Sequence, residues 1–138
     1  MRKWLLVAGL AGLMVWLNGC IVIDTEKTES TCRTEVAEPE TVTIREIDAV
    51  GKLSSDSNRE DGYKRIARRH GLSTAAQVHL IEAVFENLSR DSAKEKVLLT
   101  LIHNRCFRSE AKTAILDRID GLARESSREK VMDAMANK

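Results

Sequence analysis

An eight-residue motif recurs three times in the C-terminal two thirds of this chain. It reads LSSDSNRE at 53–60, LSRDSAKE at 88–95 and LARESSRE at 122–129, so the copies stand 35 and 34 residues apart. A fixed period of this length is the mark of stacked supersecondary units, each unable to bury its apolar face alone. Each copy contains S-x-x-E: Ser57 with Glu60, Ser92 with Glu95, Ser126 with Glu129. In a capping box the serine accepts from the third helical amide and the glutamate returns to the cap amide, so the three copies predict three helix starts. Two further starts are expected between them, at Thr74, with Gln77 completing a variant box, and at Ser109, 35 residues later.

Apolar residues between these starts recur at spacings of three and four. Ile44, Ile47, Val50 and Leu53 define a first helix, and Tyr63, Ile66 and Ala67 a second. Val78, Ile81, Val84, Phe85 and Leu88 define a third, and Val97, Leu98, Leu101 and Ile102 a fourth. Ile115, Ile119 and Leu122 serve a fifth, and Val131, Met132 and Met135 a sixth, with both methionines expected in the core. Such spacing fits helices with one buried face. Glycine is sparse and the only proline, Pro39, precedes the region. Short loops imply antiparallel neighbours. The expected fold is all-α: six short antiparallel helices forming three stacked helical hairpins over residues 44–138.

A 34-residue period invites comparison with tetratricopeptide repeats, but the Trp-Leu-Gly-Tyr positions and the terminal proline of that family are absent. The hairpins over residues 47–137 more closely resemble short helical repeats of bacterial envelope proteins, grouped as a domain of unknown function. That resemblance implies a fold and carries no catalytic residue.

The N-terminus has a different character. Arg2 and Lys3 precede an uncharged apolar run at 4–17, followed by Leu17-Asn18-Gly19-Cys20. A positive start, an apolar centre and small residues before a cleavage point make a secretory signal. The run would span only about 21 Å as a helix, short of the roughly 30 Å hydrocarbon core. Leu17 at −3, Gly19 at −1 and Cys20 at +1 resemble the lipobox of bacterial lipoproteins. The resemblance implies loss of residues 1–19 and acylation of Cys20, with diacylglyceryl and a fatty acid such as palmitate. Two or more chains anchor stably where one does not. Ile21 follows the cysteine instead of Asp, which implies the outer membrane, facing the periplasm. Read instead as an uncleaved anchor, residues 4–23 would also export the rest of the chain, since positive residues stay inside.

Cleavage would leave 119 residues and move the formal net charge from +1 to −1, because Arg2 and Lys3 leave with the signal. A near-neutral chain of this length suits one small domain and does not bind nucleic acid by bulk charge. Residues 20–43 comprise the lipidated Cys and a tether, of which 24–43 are rich in Thr and Glu and poor in bulky apolar groups. They cannot bury enough surface to offset ordering, and read as a tether; their Thr and Val content leaves a short strand open. About 20 residues of coil would hold the domain on the order of 25 Å from the bilayer. With Cys20 acylated, Cys32 and Cys106 remain in a compartment where disulfides persist. They form either a bridge stapling tether to domain, or a buried Cys106 and an exposed Cys32; spacing alone does not decide.

No nucleophile elbow, zinc-protease helix, phosphate loop, dinucleotide fingerprint or C-x-x-C occurs, so neither enzyme nor cofactor is expected. His70, His79 and His103 lack ligand spacing, so no metal site is expected. The one charge feature is Lys64, Arg65, Arg68 and Arg69, three of whose arginines share a helical face. Lys94, Arg105 and Arg108 would join them if the hairpins stack. Such a face suits an anionic headgroup, a cell-wall polymer or an acidic protein, or is simply solvated beside Glu60 and Asp61. Nucleic acid is disfavoured by the compartment and by the lack of interleaved aromatics. Two functions are expected: an envelope adaptor that binds another protein, or an anion-binding module.

Overall fold

The computed structural model describes residues 40–138. The readings that fall on the signal segment, Cys20, the first part of the tether and Cys32 lie outside the described residues. Six α-helices follow: α1 (Glu40–Gly51), α2 (Asp56–Ala67), α3 (Thr74–Asn87), α4 (Asp91–Ile102), α5 (Ser109–Arg118) and α6 (Glu125–Ala136), with a 3-10 turn at Ile119–Gly121 after α5. There are no strands among the described residues. The helices pair as three hairpins and stack in two layers. α1, α3 and α5 pack side by side in one, α2, α4 and α6 in the other. The expected all-α hairpin stack is the observed fold.

Every helix contributes its apolar stripe to one continuous core. Tyr63, Ile66 and Ala67 of α2, Ile81 and Val84 of α3, and Val97, Leu98, Leu101 and Ile102 of α4 are all buried. Ile115 of α5 and Val131 and Met135 of α6 extend it. Gly62 sits where α1 packs on α2: a Cβ there would stand 2.7 Å from the Val50 side chain. Gly71, at φ 78°, turns the chain between α2 and α3 in the left-handed region that glycine enters without penalty.

Four expectations are corrected. First, α1 begins at Glu40, four residues before the apolar pattern, because Thr43 shares the buried face of Ile47 one turn later. The helix therefore takes in the end of the stretch read as tether. Second, Leu53 lies beyond the end of α1 and is 39% exposed, while the aligned Leu88 and Leu122 are buried. Third, Met132 is 45% exposed and not a core residue.

The fourth correction concerns the capping boxes. The helices start within the motif but two residues earlier than its boxes predict, so Ser57, Ser92 and Ser126 lie inside α2, α4 and α6, not at their caps. Ser55 is the N-cap of α2 and accepts from the Asn58 amide at 3.2 Å. Arg90 and Arg124 are the N-caps of α4 and α6, and their side chains cap nothing. Their amides are bonded from the preceding hairpin instead. Asp56 accepts from the Arg90 amide at 3.2 Å and from the Ser89 amide and hydroxyl at 3.1 and 2.7 Å. Asp91 accepts from the Arg124 amide at 2.7 Å. Thr74 likewise yields its expected place to Ser73, which caps α3 through the Ala76 amide.

The motif glutamates also act between hairpins. Glu60 of the first pairs with Lys96 of the second at 3.1 Å. Glu95 of the second accepts from Ser127 at 2.7 Å and from Lys130 at 2.9 Å. Between them lies a cation that reaches the carbonyl at the end of the next hairpin's first helical arm. Arg59 donates to Asn87 O at 2.9 Å and Lys94 to Gly121 O at 3.0 Å. Each of the first two motifs is thus an acid–cation–acid clasp on its successor.

Candidate functional site

One edge of the stack carries these clasps, and their electrostatics follow from their hydrogen bonds. The Ser89 hydroxyl, then the Ser89 and Arg90 amides, hold the Asp56 carboxyl below its ordinary range despite partial burial. The Ser127 hydroxyl and then Lys130 do the same for Glu95. Both are therefore ionised acceptors, with lowered rather than raised affinity for protons. A general acid needs the reverse.

The third clasp is unengaged. Glu125 and Glu129 make no hydrogen bond or ion pair among the described residues. Arg128, aligned with Arg59 and Lys94, has a buried Nε without a partner and only a loose 3.7 Å contact to Asp120. The apolar residues beside it repeat the contrast. Leu116 of α5 is aligned with Ile81 of α3, and Met132 of α6 with Leu98 of α4. Ile81 and Leu98 are fully buried, while Leu116 and Met132 are 41% and 45% exposed. No element among the described residues packs on the outer side of α5 and α6. The first hairpin differs, because its second helix is capped by its own Ser55.

The opposite edge carries the loops α2–α3 and α4–α5, clamped by two buried amides. Gln77 donates to Leu72 O at 3.0 Å and Cys106 O at 2.8 Å, and accepts from the Arg108 amide at 3.1 Å. Gln77 does not complete a capping box as expected; its side chain is 1% exposed and joins two hairpins. Asn104 donates to Ala67 O and Arg69 O, both at 2.8 Å, and accepts from the Cys106 amide. Neither role has a local signature, since the partners in the other hairpin lie 29 to 37 residues away. Cys106 itself is disulfide-bonded. Cys32, the partner considered from the sequence, lies outside the described residues.

The basic face stands at this edge and is smaller than expected. Lys64 pairs with Glu60 and Asp61, and Arg69 forms a two-pronged pair with Glu46. Arg65 and Arg68 are exposed and unpaired among the described residues. Arg68 also closes α2, where a cation suits the helix dipole. The Asn104 bonds bring the Arg105 segment beside Arg69. Lys94 does not join them: it is buried at the other edge, its ammonium 5.7 Å over the Phe85 ring.

The histidines do not converge. His79 pairs with Asp48 at 2.7 Å and His103 bonds Leu99 O within its own helix. No group of three metal-ligating side chains comes together among the described residues. An open cleft of about 370 Å³ lies between α3 and α5, with Glu82, Glu110 and Asp117 at its rim. The Glu110 carboxyl is held below its ordinary range by its own amide and by the Ser109 hydroxyl. No described helix is long and apolar enough to cross a membrane. No protein-family model, curated protein or solved structure matches the chain, so its function is argued from these residues alone.

Proposed function

We propose that this protein is a lipid-anchored component of the bacterial cell envelope whose helical-hairpin domain is an adaptor for another protein. The anchor is Cys20, acylated after removal of residues 1–19, with the domain facing the periplasm from the outer membrane. The disulfide at Cys106 supports this address, because disulfides persist in oxidising compartments. With Cys20 acylated, Cys32 is the remaining thiol, and it pairs with Cys106 to tie the tether to the loop edge.

One observation carries the adaptor reading. Leu116 and Met132 are exposed at repeat positions that the preceding hairpin buries completely. Exposed apolar side chains framed by charge, at positions that a packed neighbour buries elsewhere in the repeat, mark a protein contact. Stacked hairpins present continuous surfaces for such contacts. Labelling cells with an alkyne fatty acid tests the anchor: the label is lost on Cys20→Ala. Chemical crosslinking in intact cells tests the adaptor: a discrete product with a second protein is expected, and its absence rules the reading out. The second reading, an anion-binding module, rests on Arg65 and Arg68 and ranks lower because Lys64 and Arg69 are already paired.

A further inference from the structure

We propose that the outer side of α5 and α6 is a seat for a helical hairpin of a different protein, which docks as the next unit of the stack. This inference rests on the adaptor reading and adds the chemistry of the partner. The two internal junctions supply the template. In both, an acid at the first position of the even helix takes an N-cap amide of the following hairpin: Asp56 with Arg90, Asp91 with Arg124. In both, a cation three residues later takes the carbonyl that closes the preceding helical arm. In both, a glutamate one residue further pairs with a lysine, Glu60 with Lys96 and Glu95 with Lys130. Each lysine stands six residues after its N-cap, Arg90 or Arg124.

Glu125, Arg128 and Glu129 hold these three places at the seat, beside exposed Leu116 and Met132. The seat therefore fits a helix start with free amides, a carbonyl terminus beside it, and a lysine or arginine six residues after the N-cap. Apolar side chains of that hairpin would cover Leu116 and Met132.

A second copy of this chain does not meet the requirement. Stacked in the same register, its first hairpin would present Asp61 where Lys96 and Lys130 stand in the later ones. Asp61 would then oppose Glu129 as a like charge, which discriminates against self-stacking. That hairpin also caps its own helix through Ser55 and exposes Leu53 where the seated hairpins bury leucine.

The test is site-specific photocrosslinking of the full chain in its own cells, with the reactive group at Met132 and, separately, at Arg65. The Met132 position should yield a product with one different protein. Its crosslinked peptide should be the start of a helix with a basic residue six places after the N-cap. Glu129→Lys should cut that yield about tenfold or more, and reversing the partner's basic residue to Glu should restore it, as complementary charge requires. Glu129 is exposed and unpaired, so its reversal leaves helicity and the urea midpoint unchanged. A product with a second copy, a link within the chain, or a heteromeric product indifferent to Glu129→Lys overturns the proposal. Heteromeric products from Arg65 alone overturn the seat while sparing the adaptor reading. No heteromeric product at either position overturns both.

Discussion

Asp56→Ala and Glu125→Ala remove the same repeat position from the first and third motifs, and the structure predicts different costs. Asp56 accepts two backbone amides and one hydroxyl from the next hairpin at 2.7 to 3.2 Å. A hydrogen bond to a charged group contributes about 1.5–3 kcal/mol, but water reaches this edge and rehydrates part of what is exposed, so about 2–3 kcal/mol for the whole set is the working figure. Loss of an acid from the first helical turn, common to both variants, accounts for about 0.5 kcal/mol of it. Glu125→Ala should cost only that, because its carboxylate bonds nothing among the described residues. The difference is about 2 kcal/mol, which for a domain of this size separates the melting temperatures by roughly 8–16 °C. Far-UV circular dichroism of the oxidised protein at pH 7, by heat and by urea, measures both. Equal costs for the two variants, or a cost below about 0.5 kcal/mol for Asp56→Ala, would refute capping between hairpins.

Three further outcomes follow from the geometry. Asp56 and Glu95 have depressed carboxyl pKa values, so their contribution is fully present above the ordinary range near 4 and is lost as pH falls below it; stability should be flat from about pH 8 to 5 and decline beneath pH 4. In Asp56→Ala that decline should be shallower, as acid titration by circular dichroism will show. Gln77→Leu strands two buried carbonyls and an amide and should cost about 3 kcal/mol or more in urea unfolding, whereas Gln77→Glu should lose the donors alone and cost comparably near neutral pH. Sedimentation with anionic vesicles checks the lower-ranked reading: if Arg65 and Arg68 bind headgroups, binding falls with salt and with Arg65→Glu plus Arg68→Glu, and if binding is absent in the parent chain that reading fails.

The hairpin architecture was legible because it is written locally. The 34–35 residue period, the three- and four-residue spacing of Tyr63, Ile66, Val97 and Leu101, and the polar loops follow from helical geometry, which any stretch of chain obeys without knowing its neighbours. The open seat was only half legible. The third motif was visible, and so was Met132, but its helical spacing with Val131 and Met135 made a core methionine the natural reading. The basic face was overestimated because the sequence does not show that Glu46 reaches Arg69, 23 residues away.

What the chain alone determined, then, is the number and order of the helices and most of their buried faces. The tertiary structure decided which groups the motif acids bond. S-x-x-E is a local signal, and an amide of its own helix competes with groups of the next hairpin for the motif acids. Packing α2 against α4 and α4 against α6 brings Asp56 to Ser89 and Glu95 to Ser127 and settles that competition in favour of the neighbour. The same packing decides exposure. Leu98 and Met132 occupy one position of one repeat, and only the helix beyond Leu98 removes it from water.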